Sequence, residues 1–153
     1  MKNKKANLIM TITAVVLSVL ALAGVIVAIH KDNTTAKTNA TMFTTGAITE
    51  TGKIVESKQS AYLKDMQTTD GLKIELDEET ATITYKVAFY DEEDKFISMT
   101  ESLDADFVAE NIPENATQFR VVITPLAVDG EAVELSIFNM AKYVNQLEVE
   151  FNK

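Results

Sequence analysis

Apolar and polar side chains alternate along residues 81–100, and this alternation predicts a β-hairpin. The apolar members of its first strand are Ile83, Tyr85, Val87 and Phe89. A period of two residues places them on one face, as in a half-buried strand. Residues 91–94 are all acidic and form a polar turn, and residues 95–99 begin the returning strand. The stretch therefore indicates a β-domain that packs one face of its hairpin on a core.

A second feature is the apolar run of residues 8–29, which carries no charge. As a helix this run would span about 33 Å, enough to cross a hydrocarbon core of roughly 30 Å. Three lysines precede it in residues 1–7, and no basic cluster follows it. This asymmetry places the N-terminal tail in the cytoplasm and the remainder of the chain outside it. We therefore predict a single-pass signal-anchor helix in the cell membrane.

Cleavage of a signal peptide is the alternative for this segment. Residues 21–23 are Ala-Leu-Ala, which has the small–any–small form of a cleavage site. Cleavage near Ala23 would release a secreted protein. The apolar run continues past Ala23 to residue 29, however, and this length favours the uncleaved anchor.

The remainder divides into a tether and a folded domain. Residues 30–42 are rich in Thr, Asn and Lys without apolar periodicity, and predict a flexible tether. Further strands are predicted within residues 44–50, 53–56, 72–76, 107–110, 118–124, 133–137 and 146–151. Residues 57–69 fit either a helical turn or a loop, and residues 138–144 fit one or two helical turns. With about eight strands and no long helix after the anchor, residues 43–153 predict an all-β, antiparallel β-sandwich of the jelly-roll type.

The composition excludes several classes of function. The chain has no cysteine, which removes disulfides and zinc–thiolate sites. Its one histidine is His30, at the edge of the apolar run, so the folded domain cannot assemble a Ser-His-Asp triad. From residue 31 onward there are 11 basic and 23 acidic residues, and this charge repels nucleic acids and anionic lipid headgroups. We expect a protein that is not an enzyme and does not bind nucleic acid.

Two segments of the predicted domain have an order of strands and turns that is similar to that of a known family. They are TYKVAFYDEEDKFIS at residues 84–98 and IPENATQFRVVITP at residues 112–125. Together they resemble the galactose-binding-like, carbohydrate-binding jelly-roll domains of bacterial and phage surface proteins. The resemblance implies binding of carbohydrate or another surface polymer by loops at one end of the sandwich. The chain departs from sugar-binding modules in having no tryptophan, which leaves Tyr90 as the better aromatic candidate.

Four residues are candidates for a binding site: Tyr90, Asp91, Asp94 and Arg120. The acidic turn of residues 91–94 offers oxygen ligands to Ca²⁺, but consecutive residues on a tight turn point in different directions, which favours a solvated hairpin turn. Arg120 is the one arginine, and it fits either an ion pair with an acid on a neighbouring strand or a contact with a ligand's carboxylate or hydroxyls. No other cofactor is predicted.

Two functions follow from these features. The first is a membrane-anchored extracytoplasmic module that binds a surface glycan or cell-envelope polymer without catalysis. The second is a structural module of a cell-envelope or prophage-encoded protein, which docks onto a partner protein and takes no small ligand. An exposed apolar patch or an unpaired sheet edge would favour the second.

Overall fold

The computed structural model describes residues 34–77 and 79–153, and Thr34–Lys153 form one compact unit. The predicted cytoplasmic tail and anchor lie outside the described residues. Within those residues, no helix is long and apolar enough to cross a membrane. In chain order the strands are Thr35–Lys37 (β1), Phe43–Thr45 (β2), Ala47–Ile48 (β3), Ile54–Val55 (β4), Ala61–Leu63 (β5), Gln67–Thr68 (β6), Lys73–Leu76 (β7), Ile83–Tyr90 (β8), Phe96–Met99 (β9), Gln118–Pro125 (β10) and Leu147–Asn152 (β11). One α-helix (α1) spans Met140–Val144, and 3-10 turns span Ala40–Met42 and Ala109–Asn111.

Two antiparallel sheets share the main core, as expected for a β-sandwich-like all-β fold. The larger sheet has the order β2–β5–β10–β8–β9, with β6 also paired to β10, and the smaller has the order β1–β11–β7. The longest pairing joins β8 to β10 over eight residues, and both strands place large apolar side chains between the sheets. From the smaller sheet, Ile74, Val149 and Phe151 pack into the same core. This arrangement confirms the predicted antiparallel all-β class.

A second, smaller cluster covers the outer face of the larger sheet. β3 and β4 form a hairpin through residues 51–52, as the sequence predicted, and Ile48 of this hairpin packs with Ala88, Tyr90 and Val122. β8 is consequently buried on both faces along its second half. The outer face of the larger sheet is therefore partly covered by protein.

Most of the predicted strands are confirmed, and three assignments are wrong. Residues 107–110 contain a 3-10 turn in place of a strand. Residues 133–137 follow an irregular path, because Leu135 N donates a hydrogen bond to the Lys58 carbonyl and a turn begins at Ser136. The ambiguous stretch of residues 57–69 contains β5 and β6, which are short strands.

The predicted tether ends earlier than expected. β1 pairs with β11 in the smaller sheet, and Asn39 caps the 3-10 turn of Ala40–Met42 by accepting from Thr41 N at 3.0 Å. Three residues are too few to show a period of two, so no sequence pattern predicts β1. The folded domain therefore includes residues 34–42, which the tether assignment had placed outside it.

Candidate functional site

The four predicted site residues lie at one end of β8 and β10, and Tyr90 is buried there. Its exposed fraction is 4%, and its ring makes an edge contact with Phe96 at 5.8 Å between centroids. Burial raises the pKa of its hydroxyl, although the charge of Arg120 acts in the opposite direction. A ring that is 4% exposed presents little of its face to a sugar, so Tyr90 as an aromatic platform stays a prediction that this burial does not favour.

Arg120 contacts two aromatic rings. Its guanidinium carbon lies 6.0 Å from the centre of the Tyr62 ring and 5.8 Å from that of Tyr90. Within the described residues Arg120 makes no ion pair, and neither its Nε nor Tyr90 Oη has a hydrogen-bond partner of acceptable geometry. The expected pairing of Arg120 with a neighbouring acid is thus replaced by cation–π contacts.

Two carboxylates of the acidic turn accept hydrogen bonds, one from the turn's own backbone and one from the Gln118 side chain. Asp91 Oδ1 accepts from Glu93 N at 3.0 Å and from Lys95 N at 2.9 Å. Asp94 has a positive φ of 63°, and its Oδ1 accepts from Gln118 Nε2 at 2.6 Å. Across residues 34–77 and 79–153, no group of three or more acidic or histidine side chains could hold a metal ion. The geometry of Asp91 and Asp94 is that of a hydrogen-bonded hairpin turn.

A groove that the sequence did not indicate lies along β2. Its volume is about 680 Å³, within the range of small-molecule and side-chain pockets. Phe43, Leu135 and Met140 are buried in the main core and form its apolar floor. Lys58 and Lys64 lie at its rim.

One wall of this groove is fixed by one backbone hydrogen bond and by two hydrogen bonds of the Asn139 side chain. Leu135 N donates to the Lys58 carbonyl at 2.5 Å, which holds the irregular segment beside the end of the larger sheet. Asn139 Oδ1 accepts from Ser136 N at 2.7 Å, and Asn139 Nδ2 donates to the Glu134 carbonyl at 2.9 Å. These bonds define a tight turn, so the wall has a specific conformation.

Two large apolar side chains stand at the tip of that turn. Ile137 is 83% exposed and Phe138 is 92% exposed, and Ile137 also lines the groove. Below them, Asn139 N and Met140 N both donate to the Ser136 carbonyl. The alternation of Val133, Leu135 and Ile137 predicts a strand here, and the structure has this turn in its place. The adjacent apolar pair Ile137-Phe138, flanked by Ser136 and Asn139, is the signal that could have shown this turn.

Comparisons with known proteins give no family for this chain. No protein-family model matches it, and neither a curated protein nor a solved structure matches it. The resemblance to galactose-binding-like domains has no support from these comparisons.

Proposed function

We propose that this chain is a non-catalytic docking module, anchored by residues 8–29 as a single-pass membrane protein, whose extracytoplasmic domain binds a partner protein. In this proposal the domain belongs to the jelly-roll class. The binding surface comprises the groove along β2 and the tip residues Ile137 and Phe138, and we call it the docking face.

The exposure of Ile137 and Phe138 is the observation that supports this proposal. Burying a side chain of this size stabilises a protein by about 1.5–3 kcal/mol. The exposed Ile137 and Phe138 do not contribute this stabilisation to the domain by itself. The turn is held by the side chains of Ser136 and Asn139. Adjacent apolar side chains at a defined position beside an apolar groove are typical of a protein-binding surface.

The charge of the domain favours a protein partner over a lipid surface. Its acidic residues outnumber its basic ones by about two to one, and an acidic domain is repelled by anionic headgroups. The glycan hypothesis loses its main aromatic candidate because Tyr90 is buried. The second of the two functions considered above is therefore the one we favour.

Site-specific photo-crosslinking of the full-length chain in cells of its source organism tests this function. A photoreactive amino acid replaces Phe138 in one variant and Val108 in a control variant, because Val108 is a 54% exposed apolar residue outside the docking face. We expect a discrete protein adduct from position 138, absent from position 108 and lost when Ile137→Asp is added. Equal labelling from both positions, or no adduct from position 138, would contradict the docking function.

A parallel screen of the same full-length chain against glycans and cell-wall polymers covers the alternative. We expect no reproducible hit. A hit that persists in an Ile137→Ser/Phe138→Ser double variant would transfer the function to carbohydrate binding.

A further inference from the structure

We propose that the docking face takes up an extended strand of its partner, which adds to the free edge of β2 and carries an acidic residue on each side of an apolar segment. This inference rests on the proposed docking function and specifies the chemistry of the partner. It follows from the backbone of β2, the floor of the groove and the charges at its rim.

The first observation is that β2 is an edge strand. Among the described strands its one neighbour in the larger sheet is β5. Met42 O accepts from Lys64 N at 2.9 Å, and Gly46 N donates to Ser60 O at 3.0 Å. Since backbone groups alternate in direction along an antiparallel strand, those of Phe43 and Thr45 point away from β5.

Three backbone groups on this edge have no backbone hydrogen-bond partner among the described residues. Phe43 N donates to the Ala40 carbonyl and is thereby used. The Phe43 carbonyl and both the N–H and the carbonyl of Thr45 face the groove by the same register. Addition of a strand to such an edge supplies main-chain hydrogen bonds without regard to sequence, and the pockets beside the edge select the side chains.

The second observation is the shape of the groove in front of that edge. Its strand side is formed by Phe43, Thr44 and Thr45, and its opposite wall by the segment that Leu135 fixes to Lys58. An added strand would lie about 4.8 Å from β2. Its side chains on the inner face would then meet the apolar floor, so the segment opposite β2 should carry apolar residues at alternate positions.

The third observation is the position of the two rim lysines. Lys58 precedes β5 and Lys64 follows it, so they lie toward opposite ends of the strand that runs beside β2. Lys58 pairs with Glu134 at 3.8 Å, but both side chains are more than two-thirds exposed and the pair is weak. Lys64 has no ion-pair partner among the described residues. Two cations at the ends of a groove in an acidic domain complement a strand with an acid at each end.

Synthetic peptides bound to the full-length chain in detergent test this inference. The probe is an eight-residue peptide in which isoleucine and threonine alternate between two terminal glutamates, and its control has lysine at both ends. We expect the glutamate peptide to bind at least tenfold more tightly in fluorescence anisotropy. The double variant Lys58→Glu/Lys64→Glu should reverse this preference. If both peptides bind with equal affinity, to the original chain and to the double variant alike, the partner strand need not carry an acidic residue at each end.

Methylation of the peptide's backbone nitrogens separates strand addition from side-chain binding. One edge of an added strand faces β2 and the other faces away from it, so alternate amides should differ. The peptide's amides form two sets, which alternate along its backbone. We expect N-methylation of the set that faces β2 to weaken binding at least tenfold, and N-methylation of the other set to change the affinity less than twofold. Equal effects of the two sets would overturn strand addition.

The protein-side variant is Thr45→Pro. Because Thr45 N–H points away from β5, proline removes a groove-facing donor and leaves the β2–β5 hydrogen bonds in place, as proline on a sheet edge usually does. We expect unchanged thermal unfolding and at least a tenfold loss of peptide affinity. If this variant unfolds, the methylated peptides still decide the question. If no peptide binds the original chain but the photo-crosslinked adduct from position 138 still forms, strand addition is overturned and the docking function stands.

Discussion

The guanidinium carbon of Arg120 lies 5.8 Å from the centre of the Tyr90 ring, on the outer face of the larger sheet. Arg120 also approaches Tyr62, so one cation lies close to both tyrosine rings. Two partly buried cation–π contacts and the packing of the aliphatic stem explain why the one arginine of the chain occurs on an apolar strand.

Replacing Arg120 with alanine should therefore destabilise the domain. We expect Arg120→Ala to lower the free energy of unfolding by about 1–2 kcal/mol, since both ring contacts and the stem packing are lost. Urea unfolding followed by far-UV circular dichroism measures the change. Lys86→Ala is the matched control, because Lys86 lies on the same outer face of β8 and should change stability by less than about 0.5 kcal/mol. Equal losses in both variants would contradict a structural role for the tyrosine contacts.

The position of Tyr90 illustrates what the sequence could and could not predict. The alternation along β8 correctly placed Tyr85 inward and Tyr90 on the opposite face. Whether that opposite face is exposed depends on the β3–β4 hairpin, which begins about 40 residues earlier in the chain. A local pattern assigns a residue to a face of a strand, but it does not show what covers that face.

Ile137 shows the same limit at the candidate site. The spacing of Val133, Leu135 and Ile137 fits a strand, yet Leu135 alone of the three is fully buried. The segment follows the hydrogen bond from Leu135 N to the Lys58 carbonyl and then the turn of Ser136 and Asn139. The groove depends on a contact between residues about 77 positions apart, and no local spacing encodes it.

Gly52 should be intolerant of a side chain because of its contact with Phe96. Its φ is +77°, and a Cβ atom built on it would overlap the Phe96 ring. Gly130 is the matched control, since its φ is +83° and nothing lies within 4 Å of its Cβ position. Both alanine variants carry the cost of a positive φ, about 1–2 kcal/mol. We expect Gly52→Ala to cost at least about 1 kcal/mol more than Gly130→Ala in thermal unfolding, because the hairpin must move off the outer face.

Two tyrosines on β8 should respond differently to loss of the hydroxyl. Tyr85 Oη donates to the Ala105 carbonyl at 2.7 Å, whereas Tyr90 Oη lies close to Arg120 but makes no hydrogen bond of acceptable geometry among the described residues. We expect Tyr85→Phe to cost about 1 kcal/mol at neutral pH, and Tyr90→Phe to be neutral or slightly stabilising. Denaturant titrations of both variants measure this difference. A larger loss for Tyr90→Phe would mean that its hydroxyl has a partner in solution.

Alkaline pH should unfold the domain partly through Tyr85. Burial, and secondarily the charge of Asp106, raises the pKa of its hydroxyl above the ordinary value of about 10. The folded state holds the proton more tightly than the unfolded state, so this contribution to stability is complete below about pH 10 and is lost as the pH rises toward the folded pKa. We expect Tyr85→Phe to flatten the fall of the melting temperature above pH 10. An unchanged slope would show that the phenol of Tyr85 is accessible to solvent.

The N-terminal boundary of the domain decides how it should be expressed. A fragment of residues 34–153 retains β1, whereas residues 43–153 lose its pairing with β11 and the partly buried packing of Ala36, Ala40 and Met42. We expect the shorter fragment to be less stable by about 2 kcal/mol, from the combined loss of the β1–β11 pairing and of the partly buried side chains, and to aggregate through the newly free edge of β11. Urea unfolding and size-exclusion chromatography of the two fragments measure both effects.

Lys37→Ser in the longer fragment is the control, because it removes the ion pairs of Lys37 with Glu148 and Glu150 but keeps the strand. Equal stability of the two fragments would mean that residues 34–42 do behave as a tether.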